Sequence, residues 1–282
     1  MADQPTGATS SASLPGAAAT TSIQAAFDAA AADERAALMP YLMGGFPDQD
    51  TATAIALAYA GAGADLIELG VPFSDPLADG PVIHAADTAA LEAGATLESV
   101  LETCAAVSDR IPVALMAYVN MIMATGYTEF AEKVAAAGAA GVIVPDVPFE
   151  ERGPIAEALH APGLPLIPLV APNTPPERRA EICSAAEGFV YLVSTKGVTG
   201  EREALPQALT KLIEDTKAAA DVPVAVGFGI STAEQAAAVG KVADGVIIGT
   251  RLVRTVADAP DRDAAVTGVT EFLSETRAAL AR

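Results

Sequence analysis

Cysteine, histidine and lysine are scarce in this chain of 282 residues: two, two and five. Cys104 and Cys183 do not make a disulfide framework. His84 and His160 cannot build a histidine-rich metal centre. Lys and Arg together number 16 against 36 Asp and Glu, a formal charge of −20. Duplex binding needs clustered cations to displace counterions, and none cluster here. The same balance disfavours attraction to anionic lipid. Acidity favours solubility and says little about fold. No run of about 18 uninterrupted apolar residues occurs, so no membrane span is expected.

What is abundant is apolar sequence, 51% of the chain. That is ample for a large core and excludes wholesale disorder. Residues 1–21 are the exception: small and polar, with neither the basic nor the apolar region of a secretory signal. They are expected to form a disordered tail, and a cytoplasmic location is expected. The fold is expected to span 22–282, with Ser22 capping an Ala-rich helix from Ile23 onward.

Eight apolar, β-rich runs follow, each ending near Gly, Pro, Ser or Asp: Ala37–Met43, Asp65–Leu69, Pro112–Tyr118, Gly141–Pro145, Leu164–Val170, Phe189–Ser194, Pro223–Val226 and Gly245–Ile248. Nearly continuous apolar runs imply strands covered on both faces, as in a parallel sheet. Helical stretches alternate with them: Thr51–Ala60, Leu97–Ser108, Thr128–Ala137, Phe149–Leu159, Pro176–Ala186, Glu203–Ala219, Thr232–Val239 and Asp261–Ala279. Eightfold alternation predicts a single-domain (β/α)8 TIM barrel with an extra N-terminal helix. An open doubly wound sheet is the second choice, since eight units in about 260 residues suit a closed barrel better.

Barrel chemistry lies on the loops that follow the strands. Two such loops stand out: the long 70–96 connection after the second run and the Gly-rich 195–202 connection after the sixth. Period-two alternation turns Ile67 and Leu69 toward the helices, and Leu66 and Glu68 inward. An inward Glu at the mouth is costly unless paired or protonated, which suits an acid/base catalyst. A structural Glu bonded to backbone groups fits the same pattern. Asp75 and Asp79 lie in the Pro-stiffened loop after it, aimed at the mouth or serving plain turns. Asp146 either lines the mouth or starts the next helix.

Glycines follow the seventh and eighth runs, at Gly227, Gly229 and Gly249. Such loops, with an adjacent helix N-terminus, often bind phosphate through backbone N–H groups. Tyr118 and Tyr191 lie in the third and sixth runs, as core packing or as partners of a ligand or of Glu68. A Schiff-base mechanism needs a lysine on an inner face. Lys133, Lys211 and Lys217 fall in helices, Lys241 just past one and Lys196 in a loop. Imine chemistry is therefore disfavoured, and no acid/His cluster has clear metal spacing. Cofactor-free proton transfer on a phosphorylated substrate remains.

The stretch Glu68-Leu69-Gly70-Val71-Pro72-Phe73-Ser74-Asp75-Pro76-Leu77-Ala78-Asp79-Gly80-Pro81 resembles a motif of the tryptophan synthase alpha subunit family. The resemblance extends through Met116-Ala117-Tyr118-Val119-Asn120, Pro145-Asp146-Val147-Pro148, Tyr191 to Ser194, Gly197 to Gly200 and Gly227 to Ser231, covering about residues 23–280. It implies cleavage of indole-3-glycerol phosphate to indole and glyceraldehyde 3-phosphate. Glu68 would protonate indole C3 and Asp79 would handle the indole N–H proton. The side-chain hydroxyl proton has no assigned acceptor, Glu68 acting twice being one choice. Gly200, Gly229, Ile230, Gly249 and Thr250 match phosphate-loop positions. Tyr191 matches the tyrosine beside the catalytic Glu, Thr199 the mobile-loop residue that closes onto the Asp, and Tyr41 an aromatic position at the indole site.

The resemblance also implies a beta subunit that carries pyridoxal phosphate, in an α2β2 heterotetramer. The loop with Asp75 and Pro76 would contact it, and no cofactor or metal is implied on this chain. The absence of tryptophan fits an enzyme that makes it. Two departures are Gly44-Gly45-Phe46-Pro47, where many members have Asp before Pro, and Gly249-Thr250-Arg251, where Gly-Ser-Ala is commoner. Thr250 keeps a hydroxyl for phosphate, and Arg251 has no assigned role. Two other readings compete with this one. A catalytically silent barrel that only activates a beta subunit would lose Glu68 or Asp79, and both are present. Another phosphate-binding barrel of the pathway would need an inner-strand lysine (indole-3-glycerol phosphate synthase) or paired aspartates at other strand ends (a phosphoribosyl isomerase).

Overall fold

A computed structural model describes residues 22–194, 205–227 and 229–281. The expected eight strands emerge as nine segments: β1 Ala37–Met43, β2 Ile67–Gly70, β3 Val113–Met116, β4 Gly141–Ile143, β5 Leu166–Ile167, β6 Leu169–Val170, β7 Val190–Val193, β8 Val224–Gly227 and β9 Gly245–Ile248. All pairings are parallel, in the order β5-β4-β3-β2-β1-β9-β8-β7-β6. The two outer members, β5 and β6, are halves of one stretch divided at Pro168. Proline has no N–H for the ladder, though the Pro168 carbonyl still accepts Tyr191 N–H at 2.9 Å. Both edges therefore meet at one chain segment, and the sheet curls into a barrel.

The period-two expectation holds. Leu66 packs inside with Met39, Ala114, Ile143, Phe189 and Ile247. Ile67 and Leu69 join the outer layer between sheet and helices. The helix Ile23–Ala32 closes the bottom of the barrel, starting at Ser22 as expected, whose hydroxyl accepts Ala25 N–H at 3.4 Å. Ile23 and Phe27 are buried against the interior layer, and a full burial of that size stabilises by about 1.5–3 kcal/mol. Gly245 makes room for it, since a Cβ there would stand 2.9 Å from both Met39 and Phe27. With the N-terminal end plugged, the C-terminal end is the open mouth.

All eight expected helices form with shifted ends: Gln49–Gly61, Leu97–Val107, Tyr127–Ala136, Gly153–His160, Pro176–Ser184, Gln207–Lys217, Ala233–Gly240 and Arg262–Ala279. Three more were not expected: Pro81–Glu92, Val119–Thr125 and Thr250–Ala257. Each lies in the connection after a strand's C-terminal end, and the first and last bring Ile83 and Thr250 to the mouth. The long 70–96 connection is thus a loop followed by a helix, with Pro81 in its first turn, where proline costs no helical hydrogen bond.

Candidate active site

Side chains from separate elements converge at the mouth. Tyr41 on β1 stands opposite Glu68 on β2 in the ladder. Tyr191 comes from β7, Asp79 from the loop after β2 and Met116 from the end of β3. Gly229 follows β8, and Gly249 and Thr250 follow β9. Together with Gly80, Ile83 and Ile247 they line one cavity. Seven residues singled out from sequence are thereby brought together: Tyr41, Glu68, Asp79, Tyr191, Gly229, Gly249 and Thr250.

Glu68 is 2% exposed, and among the described residues neither carboxyl oxygen has a hydrogen-bond partner of normal geometry. Burial, with the charge of Asp79 added, pushes its carboxyl up to about 8. The Tyr191 hydroxyl is near enough to oppose that rise. At neutral pH Glu68 therefore holds its proton. Asp79 is partly buried and also shifted up by burial, but two groups counter the shift: the Tyr118 hydroxyl and the charge of His84. Tyr118 donates to Asp79 Oδ2 at 2.7 Å and accepts Ala78 N–H at 3.0 Å. Its ring stacks on Phe73, centroids 5.1 Å apart.

Two strand-end glycines admit the tyrosines. A Cβ at Gly70 would lie 2.2 Å from the Tyr41 hydroxyl oxygen, and one at Gly227 would lie 2.5 Å from that of Tyr191. Real Cβ atoms cannot sit so close, so the rings reach their places only over glycine.

At the far side Gly229 takes a φ of +82°, and Gly249 precedes the helix Thr250–Ala257 with no side-chain cap on its N–H groups. Uncapped N–H groups at a helix start favour an anion. Ile230 is buried beside them without lining the cavity. The Arg251 guanidinium lies 5.3 Å over the Phe272 ring, on the last helix. Thr199 and Gly200 lie outside the described residues, as do Lys196 and residues 1–21.

Asp146 is exposed and accepts Val119 N–H at 2.9 Å, so it holds the start of the helix after β3 and not that of the following one. In the loop after β2, Asp75 is exposed, Pro76 is buried and Leu77 is 93% exposed. None of the described lysines lines the cavity. Among the described residues no group of three or more His, Cys, Asp or Glu is placed to hold a metal.

Sequence reasoning missed Ile83, Met116, Ile247 and Asp87. Met116 and Ile247 follow the inward parity of Ala114 and Gly245. Asp87 lies one helical turn beyond Ile83. It is 1% exposed, and burial pushes its carboxyl up to about 7, with Phe73 N–H opposing.

A family model described as tryptophan synthase alpha chain matches residues 27–281. The tryptophan synthase alpha chain of Synechococcus elongatus is 44% identical over 265 residues, 93% of this chain and 98% of that one. The alpha chain of Halorhodospira halophila is 44% identical over 81% of this chain and 87% of its own length. A solved structure of tryptophan synthase from Mycobacterium tuberculosis superposes with a TM-score of 0.85 at 37% identity, covering 93% of this chain and 99% of that chain. Tryptophan synthase subunit alpha from Legionella pneumophila superposes with a TM-score of 0.83 at 34% identity, covering 92% and 97%.

Proposed function

This chain belongs to the tryptophan synthase alpha chain family, and from that premise we propose that it is a carbon–carbon lyase. It cleaves indole-3-glycerol phosphate to indole and glyceraldehyde 3-phosphate, a step of tryptophan biosynthesis, with Glu68 and Asp79 as the reacting acids. The observation that carries the reading is Glu68: a carboxyl buried at the mouth, where burial favours its protonated form, beside a second carboxyl held by a tyrosine.

The proton balance closes with these two groups. Glu68 gives its proton to indole C3 while Asp79 takes the N–H proton, producing an indolenine that can accept electrons. Glu68, now ionised, removes the side-chain hydroxyl proton. The carbon–carbon bond breaks to the aldehyde, its electron pair enters the ring system, and Asp79 returns the proton to nitrogen. Both acids end as they began, and general acid–base catalysis of this kind contributes about 10²–10⁴-fold. Tyr41, Tyr118 and Tyr191 frame the indole. Gly229, Ile230, Gly249 and Thr250, with Gly200, take the phosphate end, and Thr199 is the residue assigned to close onto Asp79.

The catalytic unit is assigned to residues 22–282, with 1–21 as a tail, and works in the cytoplasm. No helix among the described residues is long and apolar enough to cross a membrane. The partner is a beta subunit in an α2β2 complex, which alone carries pyridoxal phosphate. Exposed Leu77, in the loop that bears Asp79, supports a docking role for that loop. Incubation with indole-3-glycerol phosphate and no added cofactor should release indole and glyceraldehyde 3-phosphate in equal amounts. Release of neither would overturn the reading.

A further inference from the structure

Asp87 is a buried acid to which the proposed chemistry gives no task. It sits on the helix Pro81–Glu92, on the same face as cavity-lining Ile83. A buried carboxyl is costly unless its oxygens are bonded. Oδ1 accepts Phe73 N–H at 3.0 Å, while Oδ2 is buried and bonds nothing among the described residues. The one bond it makes lands on the loop that carries Asp79.

Phe73 passes that anchoring on. Its ring stacks on Tyr118 with the planes 23° apart, and Tyr118 holds Asp79 Oδ2 and Ala78 N–H. Asp87 thus fixes the start of the segment from Phe73 to Asp79, and Tyr118 fixes its end. Pro76 within the segment restricts φ but does not orient the segment against the barrel; these two contacts do.

We propose that Asp87 is a positioning residue for Asp79, acting through the Phe73 N–H and the Phe73–Tyr118 stack to set where the Asp79 carboxyl meets the indole N–H. The inference rests on the reading of Asp79 given above. Small displacements of a reacting group are enough to slow chemistry without weakening binding.

The test compares Asp87→Ala, Asp87→Asn, Tyr118→Phe and the Asp87→Ala/Tyr118→Phe double variant in steady-state indole release, with hydrogen exchange across residues 73–79. Asp87→Ala should lose about tenfold in kcat with KM within about twofold. Asp87→Asn keeps an oxygen for Phe73 N–H and should stay within about threefold of wild type. The double variant should be no slower than Tyr118→Phe to within about twofold, because two links of one chain do not add. Exchange of the segment should quicken in Asp87→Ala and not in Asp87→Asn. A folded Asp87→Ala with wild-type kcat, multiplicative losses in the double variant, or unchanged exchange would overturn the proposal. If Asp87→Ala does not fold, Asp87→Asn decides: a rate as low as that of Tyr118→Phe overturns it. A wild type that releases no indole would instead remove the reading of the site, while the exchange comparison would still report whether Asp87 holds the loop.

Discussion

The Tyr118 hydroxyl donates to Asp79 Oδ2 at 2.7 Å, joining the end of β3 to the loop after β2. A donor to the ionised form favours ionisation, so Tyr118 favours the Asp79 carboxylate despite its burial, the form that its proposed role at the indole N–H needs. Tyr118→Phe removes that donor and lets burial raise the Asp79 carboxyl further. The acid limb of the kcat profile should move to higher pH, with kcat at neutral pH down about tenfold. A profile that overlays wild type would show that this hydrogen bond has no catalytic part.

Glu68 should set the alkaline limb. Its carboxyl is held at about 8 against an ordinary 4.5, so kcat should fall as pH rises past about 8. Tyr191 opposes the upward shift, so Tyr191→Phe should displace the limb to higher pH. Stability follows the same proton. The folded chain binds it more tightly than the unfolded chain, so this stabilisation is full below 4.5 and is lost as pH rises through about 8. Glu68→Gln has no proton to lose there. Its Tm relative to wild type should therefore improve between about pH 5 and about pH 9, and a constant difference would contradict the assigned shift.

Gly229 takes a left-handed φ of +82° where the phosphate end is assigned. A β-branched residue is strained in that conformation. Gly229→Val should raise KM for indole-3-glycerol phosphate by about tenfold or more, and weaken competition by inorganic phosphate in parallel. An unchanged KM would move the phosphate elsewhere.

The loop after β2 offers Leu77 to solvent while burying Pro76. An apolar side chain held outward on the loop that carries Asp79 would link the proposed docking to catalysis, and such coupling is reciprocal. Titrating a pyridoxal-phosphate beta subunit should raise the rate of indole formation. Leu77→Asp and Asp75→Ala should lower that activation more than the basal rate. A flat wild-type titration would remove the partner from the account.

Much of this was legible because strands repeat every two residues. Leu66 and Glu68 had to share a face, and the chain's nearly continuous apolar runs required each strand to be covered on both faces, by the barrel interior on one and by helices on the other. Parity could not show that Pro168 divides one strand, since that depends on which N–H the ladder needs. The helix Pro81–Glu92 was hidden by the prolines and acids before it, which read as one long loop. The Tyr118–Asp79 bond joins residues 39 apart in the chain, and local pattern carries no such information. Asp87 shares a helical face with Ile83, yet a lone Asp in an Ala-rich helix reads as solvent-facing until its burial is seen.

Glu68 is proposed to donate the proton that starts cleavage. The most direct measurement is indole release from indole-3-glycerol phosphate by Glu68→Gln beside wild type, with Tm taken on both. The substitution keeps shape and hydrogen-bonding capacity but removes the transferable proton. The account predicts a loss of about 10²–10⁴ in kcat with the melting transition retained. A folded Glu68→Gln that cleaves within a few-fold of wild type would contradict it.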